Sequence, residues 1–190
     1  MLEKGEYIVR KWGWMGMVLA LALVLGGCGS KADISVFMMS TTTVPSELTE
    51  ALKTELSQKL EGQFTVDVFA SPMYNLQKLF VEYAAGDNGV HVVPEEDVKS
   101  MSKQGGHIPL DAYFDKDKYE EGYFDGMVLE KAEKGYIEHQ EKHLYALPAE
   151  KLPLLNKLGI KEKGLFVAIP VRTPNEERSI QILKLMEEAK

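Results

Sequence analysis

The chain has 190 residues, a net charge of −7 and one cysteine. That length suits one domain around one core. The acidic balance speaks against nucleic acid as a partner and gives no help at an anionic lipid surface. A single thiol excludes an internal disulfide or a multi-thiolate metal site.

Lys4, Arg10 and Lys11 precede an apolar run from Met15 to Leu25, which leads into Gly26-Gly27-Cys28. This is the layout of a secretory signal peptide. A transmembrane anchor is the other reading, but Trp12 to Gly27 falls short of the roughly 20 residues a spanning helix needs. Leu25-Gly26-Gly27-Cys28 resembles the bacterial lipobox. The resemblance implies a diacylglyceryl group on the Cys28 thiol, with the chain cut just before it. Residues 1–27 would then be the signal peptide, 28–32 a lipidated tether and 33–190 one folded domain. The membrane becomes a partner through the Cys28 lipid, on the outer side of the cytoplasmic membrane. Two long acyl chains make a stable anchor, at about 0.8 kcal/mol per buried methylene.

Asp33 to Met39 is apolar and partly β-branched, which predicts a buried strand that Ser40-Thr41-Thr42-Thr43 breaks. After Pro45, the leucines at 48, 52, 56 and 60 draw one stripe down a helix. Phe64 to Phe69 reads as a second strand. Ser71-Pro72 opens another helix, with Leu76, Leu79, Phe80 and Tyr83 expected on its inner face. Val90 to Val93 is a third strand, stopped by Pro94, and a short helix with Val98 and Met101 inward follows. From Asp115 to His143 the pattern is indistinct, and Met127 to Ala132 fits either a helix or a strand leading into a hairpin. Leu144 to Leu147 and Leu165 to Val171 complete five expected strands. Thr173-Pro174-Asn175-Glu176 has the composition of a capping box for a last helix burying Ile180, Leu183 and Met186. Strands alternating with helices through short connections predict a single α/β domain, a three-layer sandwich with a mainly parallel sheet.

In this order the pieces resemble the first lobe of the extracellular solute-binding proteins of ABC importers, above all the family 1 sugar-binding group. The matching stretches are Tyr83-Ala84-Ala85-Gly86-Asp87, Val90 to Pro94 and Gln104 to Phe114 with its Pro109-Leu110-Asp111. Leu144 to Pro148 is similar to the strand that leads to the hinge, and Leu165 to Pro170 to the strand that returns from the second lobe. Only Ala149 to Gly164 lies between them, too little to fold as a lobe. The resemblance thus implies one lobe of a periplasmic binding protein. Weak affinity is expected unless a homodimer partner or a membrane protein supplies the missing wall.

Chemistry for catalysis is thin. None of the Gly-x-Ser-x-Gly, His-Glu-x-x-His or phosphate-loop patterns occurs, and neither an enzyme nor a cofactor is expected. His139 and His143 have metal-compatible spacing on a helix, but the stretch around them is polar throughout and reads better as a solvated surface. His91, inside an apolar run, reads as a hydrogen-bonded core histidine. Ligands of open α/β sheets gather at the carboxyl ends of the strands. There the candidates are the hydroxyls of Ser40, Thr41, Thr42 and Ser71, the aromatic face of Tyr74 and the carboxylate of Glu95. A small solute such as a sugar or peptide would suit them, and plain helix capping by the same residues is the alternative. The function expected is a membrane-anchored binding or accessory module, the alternative being a structural or protein-interaction lipoprotein with no small ligand.

Overall fold

The structure, a computed structural model, describes residues 31–131 and 135–188. The leader and Cys28 lie outside the described residues, as does Ala132.

The first strand, β1 (Ile34–Met38), is buried along its whole length. The leucine stripe forms α1 (Ser46–Leu60), with Leu52, Leu56 and Leu60 buried, and the chain leaves it as Glu61 turns left-handed at φ 50°. Next come β2 (Val66–Ala70) and α2 (Leu76–Ala85). The Asn75 side chain caps α2 by accepting from the Lys78 N–H, and Gly86 ends it at φ 66°, a conformation glycine adopts without a Cβ penalty. β3 (Val90–Pro94) passes directly into α3 (Glu95–Ser102). A hairpin of β4 (Tyr123–Lys131) and β5 (Tyr136–Leu144) stands as its own two-stranded sheet. The chain returns through β6 (Ala146–Pro148), α4 (Pro153–Lys157), β7 (Leu165–Ala168) and α5 (Glu176–Glu187).

The five-stranded sheet runs β2-β1-β3-β7-β6. The first three strands are parallel, as expected from the alternation of strands and helices. β7 is antiparallel to both β3 and β6, so the sheet is mixed rather than parallel throughout. The reason lies in the connection: α4 has five residues and spans only about 7.5 Å. It cannot carry the chain back along the sheet, so β7 starts at the end where β6 finishes.

Helices cover both faces, making three layers. Ile34, Val36 and Met38 of β1 pack with α1 and α5 residues such as Leu56 and Leu183 in one core. Phe37 and Met39 face the other way and join Leu79 and Tyr83 of α2 and Val98 of α3. The hairpin joins the sheet at Gly122, where a Cβ would overlap the Ala146 carbonyl oxygen. The Asp111 carboxylate fastens the same junction, accepting from the Leu144 N–H at 3.2 Å and meeting His143 Nδ1 at 3.0 Å.

Several expectations need correction. Leu76 and Phe80 of α2 are 44 % and 45 % exposed, leaving Leu79 and Tyr83 as its buried contacts. The 3.6-residue period located an apolar stripe wider than the sheet can cover. The last helix begins two residues later than the capping-box reading: Asn175 caps it by accepting from the Arg178 N–H. The Thr173 hydroxyl instead meets Ser179 Oγ at 2.7 Å. Leu144 belongs to the hairpin, and Val171 lies beyond the end of β7. The ambiguous Met127 region is hairpin strand as far as Lys131.

His91 is fully buried, but neither ring nitrogen meets a hydrogen-bond partner among the described residues. Its ring sits 4.4 Å from that of Tyr83 and 5.5 Å from that of Phe37. His107 is also buried, and its needs are met: Ser102 Oγ lies 2.8 Å from Nδ1 and the Tyr83 hydroxyl 2.7 Å from Nε2. Burial lowers both imidazoles from 6.5 to about 3. A histidine with a depressed folded-state value takes up its proton first in the unfolded chain. Stability is therefore full above about pH 6.5 and falls as the pH drops towards 3, by up to about 1.4 kcal/mol per pH unit for each ring. His91→Leu removes one of these rings together with two unpaired polar atoms. We expect the variant to melt no lower than the native protein at pH 7 and to lose stability less steeply in acid. Melting curves at pH 7, 6, 5 and 4 check this, and an unchanged acid slope would show that His91 does not titrate with unfolding.

Candidate functional site

The carboxyl ends of β1, β2 and β3 lie on one side of the sheet, and β7 begins there, since Leu165 pairs with Pro94. β1 connects to β2 on one flank, and β2 then connects across to β3 on the other. The β1–β3 boundary is thus the point where the strand order reverses, the usual binding crevice of open α/β sheets. A cleft of about 480 Å³ opens at these ends, lined by Thr41, Tyr74, Pro94, Glu95, Glu96, Asp97, Glu162, Lys163, Gly164 and Leu165. That volume is in the range of small-molecule sites. A second hollow of about 470 Å³ lies between Tyr113 and α5 residues such as Glu176, Ile180 and Lys184.

The cleft brings together Thr41, Tyr74 and Glu95. Three of the four hydroxyls after β1 converge on one carboxylate, that of Glu162. Ser40 Oγ donates to Glu162 Oε2 at 2.5 Å, Thr42 Oγ1 to the same oxygen at 2.8 Å, and Thr41 Oγ1 to Oε1 at 3.2 Å. Ser40 is buried and also accepts the Thr42 N–H at 2.9 Å, which folds the loop into a tight turn. The hydroxyls are thus held by the protein's own acid. Ser71 is buried too, and its hydroxyl donates to the Met73 carbonyl at 2.8 Å, shaping the loop that presents Tyr74.

Tyr74 donates its hydroxyl to Asp97 Oδ1 at 3.0 Å, and the residue as a whole is 40 % exposed. Asp97 is buried, and its Oδ2 has no partner among the described residues. Burial raises the Asp97 carboxyl above its ordinary value, with the Tyr74 hydrogen bond acting in the opposite direction. Burial first, then the neighbouring Asp97, raises Tyr74. Glu95 Oε1 pairs with Lys99 Nζ at 2.5 Å. The Glu95 N–H donates to the Gly164 carbonyl at 2.8 Å, which docks the segment before β7 against the start of α3.

Sequence reasoning missed Glu162. Its partners are 120–122 residues away, and the only local signal is a charged run, Lys161-Glu162-Lys163, just before an apolar strand. His139 and His143 lie on strand β5, not on a helix, and share the Glu141 carboxylate, each at 3.2 Å. Those contacts lower Glu141 below its ordinary value. Among the described residues, no group of three His, Cys, Asp or Glu side chains is placed to hold a metal ion.

No protein-family model matches the chain, and no curated protein matches it. Two solved structures are similar to part of the chain. One is an extracellular solute-binding protein family 1 member from Alicyclobacillus acidocaldarius, 17% identical with a TM-score of 0.39, matched over 63% of this chain and 29% of that one. The other is described as CpMnBP1 with mannotriose bound, 18% identical with a TM-score of 0.35, over 63% of this chain and 28% of that one. The matched part is less than a third of either chain.

Glu162→Ala removes the acceptor for three hydroxyls and leaves buried Ser40 without its strongest partner. We expect a loss of about 1–3 kcal/mol. Glu162→Gln keeps an acceptor oxygen in place and should cost less than half as much. Chemical denaturation of both variants measures the difference, and equal losses would mean that the carboxylate charge, not the hydrogen bonding, holds the loop.

Proposed function

We propose that the protein is a lipid-anchored binding module that takes a small solute in the cleft at the β1–β3 boundary. The observation that carries this reading is the cleft itself. It lies at the strand ends where the order reverses, with a size suited to a small molecule and a lining that includes buried Asp97, one of whose carboxylate oxygens has no donor among the described residues. The residues that serve it are Tyr74, which offers a ring face, Thr41, and the acids Glu95 and Asp97. Ser40, Thr42 and Ser71 act on the solute through the loops they fix. The role is binding, not catalysis, and calls for no cofactor. The cleft is open to solvent, and a membrane protein or a second copy would enclose the solute further.

The anchor part of the proposal rests on Leu25-Gly26-Gly27-Cys28 after an apolar run. It puts the domain on the outer face of the cytoplasmic membrane. In detergent phase separation the native protein should enter the detergent phase, and Cys28→Ser should move to the aqueous phase. A variant that stays with detergent would rule out lipid on Cys28.

A second reading, a lipoprotein that holds a protein partner, draws on the exposed Met73, Leu76, Phe80 and Val81 on and just before α2. A thermal-shift screen of the full chain in detergent, against sugars, peptides and amines, decides between the two. A solute at 100 times its dissociation constant adds about 2.7 kcal/mol of stability and lifts the melting point by several degrees. A melting point that no solute moves would overturn the small-solute reading.

A further inference from the structure

Four carboxylate side chains line the cleft, Glu95, Glu96, Asp97 and Glu162, against one cation, Lys163. Two of the four have strong partners: Glu95 pairs with Lys99, and Glu162 receives the three hydroxyls. Glu96 is exposed on the first turn of α3, where the positive helix end offsets about half a charge. Asp97 differs from the rest. It is only 8 % exposed, and its Oδ2 has no donor among the described residues. A carboxylate oxygen out of water and without a donor is costly, and its charge reaches further through a poorly hydrated site than through bulk solvent.

We infer that the cleft selects a small organic cation, a solute carrying a primary ammonium group, over a neutral polyol of the same size. The inference rests on reading the cleft as a solute site and names the class of solute. An ammonium group brings three donors and a full positive charge, which answers the excess of carboxylates around the cleft, the under-satisfied one of buried Asp97 included. The ring of exposed Tyr74, tied by its hydroxyl to the same Asp97, offers an aromatic face to the cation or its methylenes. A bare metal ion fits poorly, because the acids are spread around a cleft of about 480 Å³ and no three of the described ones are placed to ligate it.

Calorimetric titration of the full chain in detergent micelles tests this with matched pairs: cadaverine against its diol analogue, and glucosamine against glucose. The ammonium member of each pair should bind at least tenfold more tightly, and its affinity should fall as salt is raised. Asp97→Asn should weaken the amine roughly tenfold or more. Glu96→Gln on the surface, and Glu162→Gln with its hydroxyl acceptor kept, should each weaken it about two- to fivefold. These two variants keep the test decisive if Asp97→Asn fails to fold. Equal affinities within both pairs would overturn charge selection and leave the cleft as a solute site. If neither pair binds while another neutral solute does, the inference falls alone. If no solute binds at all, the reading of the cleft falls with it.

Discussion

The rest of the structure depends on a strand with no solvent face. All five residues of β1 are buried, and their side chains alternate between two cores. A strand of that kind needs cover on both faces, so α1 with α5 must pack on one side and α2 with α3 on the other. It also needs hydrogen-bonded neighbours on both edges, and β2 and β3 supply them in parallel. With β1 lying between β2 and β3, the chain must cross from one flank of β1 to the other on its way from β2 to β3. That crossing creates the reversal of strand order beside which the cleft opens. Site and core follow from one constraint.

The same strand sets a problem at its end. Burial continues past Met39 to Ser40, a polar residue with 2 % exposure. A buried hydroxyl needs a partner, and the segment that enters β7 supplies one. Glu162 answers the need and gathers Thr41 and Thr42 as well. The short stretch between β6 and β7 therefore does more than close a loop. It brings a carboxylate to the top of β1 and, through the Gly164 carbonyl, accepts the first N–H of α3. Two loops and a helix start are tied together where the cleft forms.

What the sequence disclosed follows from how far each signal reaches. β1, β3 and β7 were legible because strands buried on both faces read as unbroken apolar runs. The hairpin was not, since β5 carries Glu138, His139, Gln140, Glu141 and Lys142 in succession and shows no apolar alternation to read. Leu76 and Phe80 were misplaced because periodicity defines a face without saying how much of it a neighbour covers. The cap of α5 was displaced because Thr173 and Asn175 are both good N-caps, and tertiary packing chose between them. At the site, the hydroxyls after β1, with Tyr74 and Glu95, could be placed at strand ends from chain order alone. That the hydroxyls hold Glu162 could not, because it depends on β7 running antiparallel, and that in turn depends on the brevity of α4.

The polar groups of the cleft fall into two sets with different consequences. Ser40, Thr41, Thr42 and Glu162 satisfy one another, so a solute that sought those hydroxyls would have to displace an internal carboxylate already held by three donors. Such groups build the wall: Thr41 borders the cleft, and Glu162 acts on a ligand through its charge and not through a free acceptor. Asp97, Glu96 and Tyr74 are the lining residues left to act on a visitor. Their chemistry is negative charge beside an aromatic face, not an array of hydroxyls. A cleft open to solvent leaves a neutral solute partly wet, and so gains little from hydrogen bonds that water makes as well. Charge works over a longer range and tolerates partial exposure, at the cost of sensitivity to salt. In a cleft this open, attraction between unlike charges is the interaction best suited to act on a small molecule.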